Sequence, residues 1–99
     1  MSFRLRYTRA ARDDLKRLYS FLLERDLPSA ERALDVIIAA VEGLSDFPFA
    51  ARKVPSDGAS LRELVIPFGS SGYIALFEIE DDHTVTILAV RHQREEDYR

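Results

Sequence analysis

Thr84-Val85-Thr86-Ile87-Leu88-Ala89-Val90-Arg91 is the stretch on which the fold depends. Residues 84–91 are rich in β-branched side chains and hold no glycine or proline, so they read as a strand. By strict alternation Leu88 and Val90 take one face, while Ile87 and Ala89 take the other. The strand is then apolar on both faces. Such a strand belongs inside a sheet, with one face under a covering layer and the other under a loop or a partner molecule.

Two further strand-like runs precede it, at 61–66 and 72–80. Pro67-Phe68-Gly69-Ser70-Ser71 and Asp81-Asp82-His83 are the turns between the three. Links this short imply antiparallel neighbours. In the middle run Tyr73, Ala75, Phe77 and Ile79 share the face expected to pack inward. Ile74, Leu76, Glu78 and Glu80 share the other, so Ile74 and Leu76 are expected to lie uncovered. Residues 47–60, with two prolines and Ser56-Asp57-Gly58, read as a loop.

Toward the N-terminus, Phe3, Leu5 and Tyr7 alternate with polar residues, the pattern of a half-buried strand. Thr8 stands where a helix N-cap belongs, and Asp13 and Asp14 fall near the positive end of the helix dipole. Ala11, Leu15, Leu18 and Leu22 recur at helical spacing, which predicts a helix over 9–25. Asp26-Leu27-Pro28-Ser29 breaks it. Ser29 then caps a second helix with an apolar stripe of Ala30, Ala33, Leu34, Ile37, Ile38, Val41 and Leu44, ended by Pro48. The two helices form an antiparallel hairpin. The order β-α-α-β-β-β predicts an α+β fold, an antiparallel sheet with the N-terminal helical hairpin on one face, as a single domain over 1–99.

Composition narrows the function classes. There is no cysteine, so disulfides and thiolate metal sites are excluded. His83 and His92 match no zinc-ligand spacing, and neither metal nor cofactor is expected. The start alternates apolar with charged residues, unlike a signal peptide, and the longest apolar run, 36–41, is too short for a membrane span. A cytoplasmic location follows as an expectation. Net charge is −3 and unevenly placed: residues 1–25 carry seven basic against three acidic side chains, and residues 76–99 three against seven. A polyanion-binding protein needs a basic surface, and this chain has at most a local one.

The whole pattern resembles the RelE/ParE superfamily of toxins. The first strand followed by Thr8-Arg9-Ala10-Ala11-Arg12-Asp13-Asp14-Leu15 is similar to that family's opening. Phe47-Pro48 followed by Arg52 and Val54-Pro55 resembles its post-hairpin loop. Arg62-Glu63-Leu64, Tyr73-Ile74-Ala75-Leu76-Phe77 and Ile87-Leu88-Ala89-Val90-Arg91-His92-Gln93-Arg94 resemble its closing strands. The resemblance implies the toxin of a type II toxin–antitoxin pair, held inactive by a cognate antitoxin. The long hairpin and the Arg91–Arg94 ending look more like the ParE branch. That branch implies inhibition of DNA gyrase, a ParD-like ribbon-helix-helix antitoxin, and no specific DNA binding by this chain itself. The alternative is a RelE-like, ribosome-dependent, metal-independent mRNA endoribonuclease, and a second is a non-toxic interaction domain.

RNA cleavage without a metal needs a base for the 2′-hydroxyl, an acid for the leaving oxygen and cations for the developing charge. Arg62, Arg91, His92 and Tyr98 are the candidates, with Lys53 in the loop. Each also has a plain structural reading: an ion-paired arginine, a backbone-bonded histidine, a tail tyrosine. Arg91 and His92 are adjacent, so within a strand they point to opposite faces and cannot line one pocket. For gyrase contact the candidates are Arg91, His92 and Arg94. For the antitoxin they are Arg12, Lys16, Tyr19, Leu23, Ile38, Ile74 and Leu76, which pair surplus apolar surface with basic residues able to attract an acidic segment.

Overall fold

The computed structural model describes residues 2–95. The elements run β1 (Arg4–Tyr7), α1 (Arg9–Leu23), α2 (Leu27–Glu42), β2 (Arg52–Lys53), β3 (Leu61–Phe68), β4 (Ser71–Ile79) and β5 (Thr84–His92). They form one five-stranded sheet in the order β1-β5-β4-β3-β2, with the helical hairpin against one face. The antiparallel pairing expected of the closing strands holds for β3, β4 and β5, and β2 adds to β3 in the same sense. The sheet as a whole is mixed, because β1 joins β5 in parallel. Short turns dictate the direction of consecutive strands only, and nothing local constrains two strands at opposite ends of the chain. The stretch read wholly as a loop also supplies β2, a two-residue strand.

Thr8 caps α1 as expected, its hydroxyl accepting the Ala11 N–H at 3.0 Å. The hairpin break falls earlier than Ser29. Asp26 is the N-cap of α2, and Pro28 sits inside the first turn, where no N–H is needed from it. Ser29 instead donates its hydroxyl to the Asp26 carboxylate.

Ala33, Ile37 and Val41 of α2 and Ala11 and Leu18 of α1 meet Ile66, Tyr73, Ala75, Phe77, Ile79, Val85, Ile87 and Val90 in one core. Each fully buried large side chain among them contributes about 1.5–3 kcal/mol. The parity of β5 departs from strict alternation. Leu76 pairs with Ala89 and Phe77 with Ile87, which leaves Leu88 as the extra residue of a bulge. Ile87 and Val90 therefore share the helix-facing side, and Ala89 turns outward. Ile74 is 6% exposed despite lying on the outer face. Its register neighbours there are Val65 and Arg91, and the long Arg91 side chain has the reach to cover it. The expectation that it stays uncovered is corrected accordingly, while Leu76 is half-buried.

β5 runs nine residues, but β1 covers it only from Thr84 to Ile87. Beyond that point α1 supplies the missing edge partners. Thr8 donates its N–H to the Ile87 carbonyl (3.0 Å) and its hydroxyl to the Leu88 carbonyl (3.1 Å). The buried Asp14 carboxylate accepts the Val90 N–H at 2.9 Å. Arg17 reaches the Val90 carbonyl at 3.4 Å. On the β3–β4 side, a two-residue hairpin turn places Gly69 at a φ of 62°.

Asp14→Ala leaves the Val90 N–H buried without a partner and should cost about 1–3 kcal/mol in urea unfolding. At Gly72 a Cβ would run into the Ile66 carbonyl oxygen and come within 2.9 Å of the Phe68 nitrogen. Both obstacles are backbone, so Gly72→Ala should cost at least about 1–3 kcal/mol by the same measurement.

Candidate functional site

The C-terminal end of β5 carries the densest polar network. His92 faces the helix side, its ring edge-on to Tyr73 at 5.4 Å. Its Nδ1 accepts the Arg94 N–H at 3.1 Å, which places the ring proton on Nε2, 3.1 Å from Ser71 Oγ. Glu95 folds back over this turn. Its carboxylate accepts the His92 N–H at 2.8 Å and pairs with Arg17 of α1 at 2.9 Å. Arg91 lies on the outer face opposite Ile74 and donates to the Glu95 carbonyl at 2.6 Å and the His92 carbonyl at 3.3 Å. Arg94 is exposed at the apex.

Arg62 stands elsewhere. It faces the helix side of β3 and donates to the carbonyls of Phe49 (3.0 Å) and Ala51 (2.6 Å), with its guanidinium 5.3 Å from the centre of the Phe49 ring. Its cross-strand neighbour in β2 is Lys53, which is exposed. The cross-strand ion pair anticipated for Arg62 is found one position on, between Glu63 and Arg52 at 2.9 Å. Arg62 opposes Phe77, whereas His92 opposes Tyr73. Four residues along β4 and two strand spacings separate them, on the order of 15 Å. Arg91 is on the far side of the sheet from both, as adjacency within the strand requires. The structure does not bring Arg62, Arg91 and His92 into one pocket, and Tyr98 lies outside the described residues.

The residues considered for partner binding divide between two surfaces. Arg12 and Ile38 line a groove of about 390 Å³ with Leu5, Tyr7, Leu15 and Glu42, where β1 meets the two helices. Lys16 is exposed one turn along α1, Tyr19 is half-buried, and Leu23 is exposed near the hairpin tip. Ile74 and Leu76 are on the opposite face of the sheet. Leu5, Tyr7 and Glu42 were missed from sequence, because only the tertiary packing of β1 beside α2 reveals the groove. Thr8, Asp14 and Arg17 were missed as edge partners of β5. Residues with solvated roles available on a helix give no local sign of a strand beyond them.

Residues 5–97 match the family model described as the ParE toxin of the type II toxin–antitoxin system parDE. The chain belongs to this toxin family. Its similarity to curated proteins includes Toxin RelE3 of Caulobacter vibrioides, 34% identical over 85 residues that span 86% of this chain and 88% of the relative. Toxin RelE1 of the same organism is 34% identical over 79 residues, covering 80% and 82% of the two chains. The fold is that of a chain in the chromosomal ParDE system from P. aeruginosa, with a TM-score of 0.73, 23% identity and coverage of 92% and 96%. It is likewise that of a chain in the RelBE2 toxin–antitoxin complex from Mycobacterium tuberculosis, with a TM-score of 0.64, 24% identity and coverage of 94% and 100%. This protein is thus a type II toxin of the RelE/ParE superfamily. Among the described residues no helix is long and apolar enough to cross a membrane.

In the toxin's groove, burial pushes the Tyr7 phenol above its ordinary value of 10.0, and the Glu42 carboxylate pushes it further the same way. A folded-state value above the unfolded one means the native protein holds the proton longer. Its contribution is complete below pH 10.0 and lost as pH rises through the folded value. Burial raises Tyr73 too, adding to the same alkaline loss. Tyr7→Phe should therefore flatten the decline of the urea midpoint above about pH 10. Glu42→Gln should move the Tyr7 titration downward in ultraviolet difference absorbance.

Proposed function

We propose that this toxin arrests growth by binding a protein target in the cytoplasm, that the target is DNA gyrase, and that a ParD-like antitoxin neutralises it. The observation that carries this reading is the way the cationic and titratable side chains are used. Arg62 and Arg91 direct their guanidinium groups at backbone carbonyls on opposite faces of the sheet. Both ring nitrogens of His92 are engaged within its own turn and with Ser71. A general acid or base has to present a free nitrogen to the reacting group. The arrangement instead builds a stiff turn that displays Arg94, a side chain well suited to anchoring a protein interface. The match to the ParE model supports the gyrase branch. Of the three gyrase-contact candidates, Arg94 is the contact, and Arg91 and His92 act as its support.

For the antitoxin, the groove at Leu5, Tyr7, Leu15 and Ile38 is the seat. Its apolar floor suits alternate apolar side chains of an incoming segment, and Arg12 and Lys16 suit acidic ones. Ile74 and Leu76 are not part of this contact.

A ribosome-dependent endoribonuclease is the second reading, favoured by the RelE names of the two Caulobacter relatives. Toxin freed from its antitoxin should inhibit supercoiling by purified gyrase and leave mRNA intact in a translation extract. Codon-phased mRNA cuts with gyrase unaffected would establish the nuclease instead, and normal growth on induction without antitoxin would sink both. Arg94→Ala should weaken growth arrest about tenfold or more while antitoxin affinity stays unchanged.

A further inference from the structure

We infer that Arg17 is a positioning residue for toxicity: from the middle of α1 it holds the His92–Glu95 turn in the geometry that presents Arg94. This rests on the reading of Arg94 as the target contact. The turn's own bonds, the Arg94 N–H on His92 Nδ1 and the Arg91 guanidinium on the Glu95 carbonyl, close it locally without tying it to the helical layer. The segment Gln93-Arg94-Glu95 leaves the sheet after β5 ends at His92, with the Gln93 N–H on the Gly72 carbonyl (2.8 Å) and the Glu95 N–H on the His92 carbonyl (3.0 Å) as its backbone ties.

Among the described residues, the Glu95 carboxylate serves two tasks. One oxygen accepts the His92 N–H at 2.8 Å, closing the turn on itself. The other meets Arg17 at 2.9 Å, and this contact joins the turn to the helical layer. Arg17 is held in place to do so. Its second terminal nitrogen lies 3.5 Å from the Asp14 carboxylate and 3.4 Å from the Val90 carbonyl. Asp14 is in turn held by the Val90 N–H. A planar guanidinium can serve a carboxylate on one nitrogen and a carboxylate and a carbonyl on the other, and an ammonium on a flexible stem does this less well. The Arg17 side chain is 38% exposed and the Glu95 side chain 22%, so the pair is neither a dry core contact nor a freely solvated one. It is too exposed to decide whether the chain folds, and sheltered enough to decide how the turn is set.

The test separates turn geometry from folding and from target choice. Arg17→Gln keeps a polar, shorter side chain and removes the charge, and Arg17→Lys restores the charge without the fork. Amide exchange is read at His92 and Glu95 and, as an internal reference, at Phe77. Growth arrest on induction and affinity for the cognate antitoxin are measured on the same variants. Arg17→Gln should speed exchange at His92 and Glu95 about tenfold, leave Phe77 unchanged, and weaken growth arrest about tenfold. Arg17→Lys should recover part of both effects, and antitoxin affinity should not change. Unchanged exchange in Arg17→Gln would show that Arg17 does not hold the turn. Faster exchange with undiminished growth arrest would show that the turn's geometry is irrelevant to toxicity. Either result overturns the inference. Arg94→Ala run alongside distinguishes the two layers of argument. If it loses toxicity while Arg17→Gln does not, the positioning role fails alone. If neither loses toxicity, the Arg94 contact itself is wrong.

Discussion

The structure depends on the edge of β5. This strand is the pivot of the sheet, paired with β1 on one side and β4 on the other, but β1 is only four residues long. A bare edge from Leu88 onward would leave backbone N–H and C=O groups unpaired beside the core, at a cost of about 1–3 kcal/mol for each buried group. α1 removes that cost with side chains. Thr8, Asp14 and Arg17 take up the carbonyls of Leu88 and Val90 and the Val90 N–H. The helix acts as a surrogate strand. Its placement against β5 is fixed by directed bonds in addition to the packing of Ala11 and Leu18.

This arrangement ties the two surfaces of the toxin together. The face of α1 that carries Arg12 lines the groove beside β1, and the neighbouring face carries Asp14 and Arg17 to β5. The C-terminal turn hangs from the end of the same strand, on Arg17. A single fifteen-residue helix therefore lines the groove, completes the edge of the sheet and anchors the turn.

Much of the fold was legible in the sequence because it is written in local periods. The helical stripe of Ala11, Leu15, Leu18 and Leu22, the cap at Thr8, and the alternation from Tyr73 to Ile79 each follow from neighbours a few residues apart. The opposite faces of Arg91 and His92 followed from the same rule. The features that escaped are those with long-range causes. The parallel pairing of β1 with β5 joins the two ends of the chain. Asp14 looked like a charge placed for the helix dipole, and its actual partner is an amide 76 residues away. Arg62 looked like half of a strand ion pair, but it anchors the Phe49–Ala51 loop, while Arg52 takes Glu63. The groove was legible only in part. Arg12 and Ile38 stood out as surplus surface, whereas Tyr7 and Glu42 had no local reason to be grouped with them.

The bulge at Leu88 has a consequence for how this strand can change over time. Because one extra residue sits between Ile87 and Ala89, the two halves of β5 are out of phase with each other. Deleting Leu88 would not merely shorten the strand. It would heal the ladder with Val85, Ile87, Val90 and His92 still on the helix side, and it would remove the carbonyl to which the Thr8 hydroxyl donates. A single-residue gain or loss away from the bulge would turn one part of the strand over, whereas the 54–60 loop before β3 can absorb such changes. Outside the bulge the strand can drift by substitution alone, and the bulge is the one place where its length has slack.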